Sequence, residues 1–296
     1  MLTRGNALAA LAGVPFFAKQ SAPAVIGHAE AFGMISKAMW VWKFDWTAVE
    51  ELRAFSARQR IATLFVSLSR SARTRLFAGD EEPANAIRSL SPAGLEVWAL
   101  AGDPGWLEQP TQIPEPLQEL IKVQQTRALF HGLHLDVEPQ ANPRWRLGDG
   151  SRTQLLEAFV RFLTAVAARA TSLPIEAAIH PAMARLNLRD GSNALRRIGE
   201  HVSRMSIMAY RDSASATLDW AGPTLQVLLN TQISWRMGVL VHQSAENRIS
   251  FFNTPLSSFM REMIELDRLL RASTNRQRYH GLVFEDYDGL RGLLGG

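Results

Sequence analysis

Short alternations of hydrophobic and polar residues recur along this chain, separated by longer stretches with helical spacing. Alternation at every second residue predicts strands at residues 38–43, 63–69, 95–101, 131–138, 175–180, 205–210, 236–242 and 281–286. Apolar residues every three or four positions predict helices at 47–59, 116–127, 153–171, 193–203 and 255–273, with weaker patterns at 82–90 and 223–231. Strands that alternate with helices in this number predict a single-domain (β/α)8 TIM barrel over residues 25–296.

A doubly wound open sheet is the alternative fold. That fold usually carries a glycine-rich phosphate-binding turn after its first strand, whereas here the first strand runs into Trp42-Lys43-Phe44-Asp45-Trp46. No interior segment is rich in Pro, Gly or Ser, which favours one domain. The longest loops, 102–114 and 140–151, follow the third and fourth strands, where the site of a TIM barrel is built.

The fourth predicted strand has an unusual polar face. One face presents apolar side chains and the other presents His134, Asp136 and Glu138, while Pro139 marks the end of the strand. In a parallel barrel, the C-terminal ends of the strands form the catalytic face. An exposed edge strand with its polar face in water is the alternative interpretation.

This strand carries a family resemblance. The stretch Gly132-Leu-His-Leu-Asp-Val-Glu138 resembles the strand-four signature of the chitinase-like glycoside hydrolases, family eighteen, in which acidic residues alternate and end in a catalytic Glu. Met208-Ala209-Tyr210 is similar to the family's Met-x-Tyr on strand six. The segment 281–284 lies where the family's last strand runs, and the whole chain also resembles exported bacterial barrel proteins that carry a similar LHLDVEP strand.

The resemblance implies a role for each matching residue. Glu138 would be the general acid, Asp136 would orient the N-acetyl group of the substrate, and Tyr210 would contact its carbonyl oxygen. The sequence departs from the family at other positions. His131 and His134 stand where the family has acids, Arg211 followed by Asp212 replaces the acid after the strand-six Tyr, and Glu285 occupies the place of a large Trp.

The chemistry of acetal cleavage supports the same assignment without the family. Such cleavage needs a proton for the leaving oxygen, and a Glu whose pKa is raised by a neighbouring carboxylate, here Asp136, can hold that proton near neutral pH. A second group must attack. Two options stay open: an N-acetyl group of the substrate steered by Asp136 and Tyr210, or the carboxylate of Glu285, if strand eight points it inward.

Further substrate contacts are expected from the residues around this centre, namely His134, Trp106, Trp145, Arg211 and Asp212. Trp106 and Trp145 lie in loops and are candidate platforms for sugar rings, whereas a Trp on a strand is more often part of the core. The alternative for Arg211 and Asp212 is an ion pair with each other.

Two other functions compete with a glycoside hydrolase. A metal-dependent hydrolase would use the imidazoles and carboxylates near the strand ends: His134, Asp136, Glu138, His180, His242, Glu285 and Asp286. No His-x-His or His-x-x-x-His pair is present, so we expect neither a metal nor another cofactor. A barrel that binds saccharides without cleaving them is the third possibility, because a fold alone carries no activity.

Composition narrows the choice of partners and location. The formal charge is +4, but no run of Lys or Arg exceeds two residues, so nucleic-acid binding has little support. The partner expected from the candidate site is a glycan. Arg4, an apolar run at 7–18 and Ala22-Pro23-Ala24 predict an export signal at residues 1–24 and no stable membrane insertion. An ordinary N-terminal helix is the alternative. The absence of Cys is compatible with export to the periplasm or beyond.

Overall fold

The computed structural model describes residues 27–91, 94–171, 173–246, 248–273 and 277–295. Eight parallel strands pair in chain order and close into a barrel. They are β1 (Lys37–Val41), β2 (Ile61–Ser67), β3 (Glu96–Ala101), β4 (Gly132–Leu135), β5 (Ile175–Ile179), β6 (Arg204–Ile207), β7 (Ser234–Leu240) and β8 (Tyr279–Glu285). The closing pair places Ala38 opposite Val283. The predicted TIM barrel is therefore confirmed, and the predicted export signal lies outside the described residues.

Helices surround the strands. They are α1 (His28–Gly33), α2 (Val49–Gln59), α3 (Arg70–Phe77), α4 (Glu81–Leu90), α5 (Glu115–Arg127), α6 (Asp149–Arg169), α7 (Ala194–Gly199), α8 (Ala214–Leu229), α9 (Leu256–Ser273) and α10 (Tyr287–Leu294). The hydrophobic stripe of α6 is buried from Leu155 to Val166 as part of the helix-facing core. No helix within the described part of the chain is long and apolar enough to cross a membrane.

Two kinds of error separate the predicted elements from the observed ones. The prediction of a helix at 223–231 was wrong about where the helix begins, because Pro223 lies inside α8. Proline usually interrupts helices, so the sequence pattern placed a helix boundary at Pro223. In the structure the helix continues through this residue. The helices α1, α3 and α10 were not predicted, since each is only six to eight residues long and offers few apolar positions.

The barrel interior has an aromatic middle layer. Its members share one cluster that is separate from the helix-facing core: Ala38, Trp40, Phe65, Trp98, Leu100 and Val283. Gly132 makes this layer possible, because a Cβ atom at that position would lie 2.4 Å from the ring of Trp98. The bulk of the interior therefore comes from rings on β1 to β3, which face a glycine on β4.

Charged and hydroxyl groups fill the interior below this layer, toward the N-terminal ends of the strands. We call Thr63, Glu176, Arg204, Ser206 and Arg236 the buried ion network. The carboxylate of Glu176 accepts a hydrogen bond from Ser206 at 2.6 Å and lies 3.5 Å from Arg204 Nη1 and 3.6 Å from Arg236 Nε. Arg236 also donates to Thr63 Oγ1 at 3.0 Å. Each charge in this half of the barrel has an opposite charge beside it.

Candidate active site

The C-terminal mouth of the barrel holds three carboxylates, Asp136, Glu138 and Glu285, which we call the acid cluster. Asp136 and Glu138 follow β4, and Glu285 is the last residue of β8. The three groups repel one another when ionised. Besides burial, the charges of Glu138 and Glu285 raise the pKa of Asp136, and the charge of Glu285 raises the pKa of Glu138. Residues about 150 positions apart along the chain thus meet where the site of a TIM barrel is expected.

Glu138 does not lie on a strand, which corrects the sequence prediction. β4 ends at Leu135, and Glu138 adopts a left-handed backbone with φ 51° and ψ 69°. It begins a short 3-10 turn over Pro139–Ala141, in which Ala141 N–H donates to Glu138 O at 2.9 Å. The alternation along the strand therefore placed the right residues near the mouth, but the turn sets the direction of the Glu138 side chain.

The pKa of Glu138 is raised, chiefly by burial and then by the charge of Glu285. The side chain of Gln140 donates to Glu138 Oε1 at 2.9 Å and opposes this shift by stabilising the anion. The sequence prediction had assigned the perturbing charge to Asp136. In the structure, burial and the carboxylate of Glu285 across the barrel raise the pKa of Glu138.

Asp136 occupies a tight place beside β3. Its N–H donates to Ala101 O at 3.0 Å, and a Cβ atom on Gly102 would lie 1.8 Å from Asp136 O, so only glycine fits there. The Oδ1 atom of Asp136 is buried and has no hydrogen-bond partner among the described residues. Burial first, and then Glu138 and Glu285, hold the pKa of Asp136 well above its ordinary value.

Glu285 points into the barrel, on the same strand face as Val283 of the interior layer. The hydroxyl of Tyr210 donates a short hydrogen bond to Glu285 Oε2. Burial raises the pKa of Glu285, while the hydroxyl of Tyr210 and the ring of His242 act against it. Burial and the charge of Glu285 also hold the pKa of Tyr210 well above its ordinary value, so the phenol remains a proton donor in this bond.

His134 is the predicted substrate-binding residue that the structure places out of reach. Its side chain is fully buried in the barrel interior, where it stacks on Phe65 with ring centroids 3.8 Å apart and accepts a hydrogen bond from Trp40 Nε1 at 3.0 Å. Burial, and then the charges of the arginines below it, hold its pKa well below the ordinary value. A neutral, enclosed imidazole cannot touch a substrate directly.

The two loop tryptophans lie above the mouth, each partly buried. Trp106 packs on Phe162 with ring centroids 5.8 Å apart, and together with Trp42 it lines a cavity of about 230 Å³ beside β1 to β3. Trp145 sits under the guanidinium of Arg152, whose carbon lies 5.8 Å from the ring centroid. Trp106 therefore borders open space near the acid cluster, while one face of Trp145 is used within the fold.

Arg211 and Asp212 do not pair with each other as the alternative interpretation supposed. Asp212 lies 3.7 Å from Arg248, and Arg211 stacks on Trp220 with its guanidinium carbon 4.6 Å from the ring centroid. Arg211 also donates to Tyr210 O at 2.6 Å. Both residues line a cavity of about 470 Å³ on the side of β6 and β7.

Two of the residues suggested for a metal, His180 and Asp286, have other partners. His180 Nδ1 accepts from Ala182 N at 3.2 Å, and Asp286 Oδ1 accepts from Gly289 N at 3.0 Å as the N-cap of α10. Among the described residues, no three His, Cys, Asp or Glu side chains are arranged to hold a metal ion.

Three residues of the mouth were not assigned to the glycan site from the sequence. Trp42 lies beside Glu285 and acts on it as a hydrogen-bond donor, Gln140 binds Glu138, and His242 faces Glu285 with a buried Nδ1 that lacks a partner in the described residues. Trp42 carried a usable signal, since it follows Trp40 by two positions and so shares its inward face at the C-terminal end of β1. His242 also carried a signal, since it is six positions after the inward-facing Arg236 at the end of the predicted strand 236–242. Gln140 carried none, because its role depends on the turn after β4.

No family model matches this sequence, and no curated protein is significantly similar to it. Among solved structures, the Bacillus cereus spore cortex-lytic enzyme SleL superposes with a TM-score of 0.51 over 86% of this chain and 71% of that chain, at 11% identity. The endo-beta-N-acetylglucosaminidase from Cordyceps militaris has a TM-score of 0.49, covers 86% of this chain and 81% of its own, and is 14% identical. The chitinase from Chromobacterium violaceum ATCC 12472 has a TM-score of 0.44 over 70% and 68%, also at 14% identity. Structures similar to this barrel thus include chitinases and related glycoside hydrolases, and at these identities the likeness shows a shared fold.

Proposed function

We propose that this protein is a glycoside hydrolase and that Glu138 is its general acid. The observation that carries the proposal is the position of Glu138 at the mouth of the barrel, where it is partly buried and faces Glu285; burial and that charge raise its pKa. Such a carboxyl group keeps a proton closer to neutral pH than an ordinary Glu and can pass it to the leaving oxygen of a glycosidic bond. The similarity in fold to glycan-cleaving enzymes supports the same class of reaction.

The attacking group is best supplied by the substrate. Glu285 is largely buried, burial raises its pKa, and its carboxyl group is already engaged by the hydroxyl of Tyr210. Both features lower its reactivity as a nucleophile. Asp136, with its unpartnered Oδ1 beside Glu138, is placed to hold an N-acetyl nitrogen while the N-acetyl oxygen attacks. The proposed substrate is therefore a glycan with N-acetylated sugars.

A glycan screen tests the proposal. The wild-type protein and the Glu138→Gln variant are incubated with N-acetylated and non-acetylated oligosaccharides, and the products are separated by mass. Wild type should cleave an N-acetylated substrate, and the variant should be slower by ~10²–10⁴-fold, the usual share of general acid catalysis. Equal rates for the two proteins would remove Glu138 from the mechanism. Binding without turnover over days would favour the saccharide-binding barrel.

A second experiment separates the two attacking groups. A thiazoline that mimics the cyclised N-acetyl intermediate should inhibit wild type, and Glu285→Gln should retain most of its activity if the N-acetyl group attacks. If Glu285 attacks, that variant should be almost inactive and the thiazoline inert. Tyr210→Phe cannot decide alone, because Tyr210 is bonded to Glu285 and would disturb either scheme.

Export remains a proposal drawn from residues 1–24. Protein recovered from the periplasm or medium should begin at or near Val25, as read by N-terminal sequencing. Mature protein in the cytoplasm that still begins at Met1 would contradict export.

A further inference from the structure

Three nitrogen-rich side chains surround Trp220 of α8 at the rim of the mouth. The guanidinium carbon of Arg211 lies 4.6 Å from the centroid of the indole ring, and that of Arg185 lies 5.7 Å from it. The ring of His180 stands edge-on at 5.9 Å. His180 and Arg185 follow β5 and Arg211 follows β6, so all three belong to the catalytic face. We call His180, Arg185, Arg211 and Trp220 the Trp220 cluster.

The two arginines of this cluster have donors to spare. Within the described residues, neither Arg185 nor Arg211 forms an ion pair with a carboxylate, although other arginines of the same face do, such as Arg144 with Glu108 at 3.6 Å. Arg211 donates to Tyr210 O, and stacking on an aromatic ring occupies only the face of a guanidinium. Each guanidinium has five N–H donors, Arg185 is exposed and Arg211 is half-buried, so donors remain for a ligand.

His180 adds a neutral donor. Its Nδ1 accepts the Ala182 N–H, so in the neutral ring the proton is on Nε2. Burial, and then the charge of Arg211, lower its pKa, while the exposed Glu246 acts in the opposite direction. An anion bound beside Trp220 would therefore have two guanidinium groups and one N–H donor packed around the same ring to draw on.

Chemistry decides what kind of anion suits this place. Planar guanidinium groups recognise carboxylates and phosphates with paired hydrogen bonds, and the carboxylate is the planar group that matches their fork. The cluster is joined to the acid cluster through adjacent residues, because Arg211 follows Tyr210, whose hydroxyl binds Glu285. A negatively charged sugar would be repelled by three carboxylates unless cations nearby offset them.

We propose that the Trp220 cluster binds the carboxylate of an acidic sugar, so that the natural substrate is an anionic glycan. This inference rests on the proposed glycoside hydrolase function and names the class of its substrate. The carboxylate could belong to a hexuronic acid or to the lactyl ether of a muramic acid, since both present the same group. Arg211 and Arg185 would then select the sugar, while Glu138 carries out the chemistry.

Binding can be measured apart from turnover in the Glu138→Gln background. The probes are a hexasaccharide of alternating N-acetylhexosamine and hexuronic acid, a fragment of alternating N-acetylglucosamine and N-acetylmuramic acid, and both after reduction of the carboxyl to an alcohol. Titration calorimetry should show at least one acidic probe binding about tenfold or more tightly than its reduced form. Which acidic probe is preferred identifies the source of the carboxylate.

Arginine variants then locate the effect. Adding Arg211→Met or Arg185→Met should bring the ratio of the affinities for the acidic and the reduced probe closer to one, because each substitution removes a charge-assisted contact. Arg58→Met is the matched control. Arg58 also stacks on a ring, with its guanidinium carbon 5.9 Å from the centroid of Phe55. It lies in the last turn of α2, which leads into the N-terminal end of β2, at the opposite end of the barrel from the mouth. The control variant should leave the preference unchanged.

Three outcomes would overturn the inference: equal binding of acidic and reduced probes, no binding of any probe, or a preference that survives both arginine variants. Failure of the glycoside hydrolase proposal would be visible separately, as an absence of cleavage by wild type in the glycan screen. Cleavage of neutral glycans with no preference for acidic ones would keep the proposed function and reject the anionic substrate.

Discussion

The two ends of the barrel interior both contain charged groups, but they treat charge in opposite ways. In the buried ion network, Glu176 is 0% exposed and has Ser206, Arg204 and Arg236 around its carboxylate. In the acid cluster, Asp136, Glu138 and Glu285 face one another and have mainly neutral donors beside them. Charge that is balanced inside a protein supports the fold, whereas charge that is left unbalanced in a cleft is available for chemistry.

The hydrogen-bond partners show the same contrast. In the lower half, the carboxylate of Glu176 has two guanidinium groups, Arg204 and Arg236, beside the hydroxyl of Ser206. The donors at the mouth are the hydroxyl of Tyr210 and the amide of Gln140, which compensate only part of the cost of burying a charge. The carboxyl groups of the acid cluster therefore hold their protons more strongly than ordinary Asp and Glu do. Substitutions in the two halves of the barrel should have separable effects on activity and stability.

The largest expected effect is the loss of activity in Glu138→Gln, by ~10²–10⁴-fold, with no loss of stability. The amide keeps the shape of the side chain and removes an unfavourable buried charge, so the urea midpoint should stay the same or rise. Steady-state rates and urea unfolding of the same preparation would check both parts. A parallel fall in rate and midpoint would indicate a structural role instead.

Next in size is the loss of stability in Glu176→Gln, which we expect to cost about 3–5 kcal/mol of unfolding free energy. The change leaves Arg236, 3% exposed, without its buried negative partner. Chemical unfolding followed by circular dichroism gives the free energy, and Glu138→Gln is the matched control. Unchanged stability would mean that the lower half does not depend on this ion pair.

A smaller loss is expected from Ser206→Ala, of about 1–3 kcal/mol, because the Glu176 carboxylate loses a buried donor at 2.6 Å. Ser56→Ala is the matched control. Ser56 is also fully buried, but its hydroxyl has no partner in the described residues, so removing it should cost nothing. Equal losses in the two variants would show that volume, and not the hydrogen bond, is responsible.

The smallest expected effect is a slope in stability with pH. Raised pKa values in the folded state mean that folding favours the protonated acid cluster, so its contribution is greatest below the ordinary values of 3.8 for Asp and 4.5 for Glu. The contribution is lost as the pH rises through the folded pKa values. Asp136→Asn should flatten this part of the profile, measured as urea midpoints between pH 4 and 8. A variant with the slope of wild type would show that Asp136 is not a source of it.

Sequence periodicity was sufficient for the architecture. All eight strands were predicted within two or three residues of their observed ends, because a strand buried on two faces needs a distinctive apolar pattern. Alternation on β4 and β8 also placed Asp136 and Glu285 on inward faces. The positions of the strands and the inward direction of these side chains depend only on residues close by in the sequence.

Tertiary structure alone decided the chemistry of the mouth. Glu138 and Glu285 are neighbours only because the barrel closes, and the left-handed turn at Glu138 follows from chain packing that no alternation predicts. The same closure encloses His134 under Trp40, although its place in the sequence pattern is equivalent to that of Asp136. Depth along the barrel axis separates a structural imidazole from a reactive carboxylate, and depth is set by how strands are staggered, which a sequence pattern of period two does not contain.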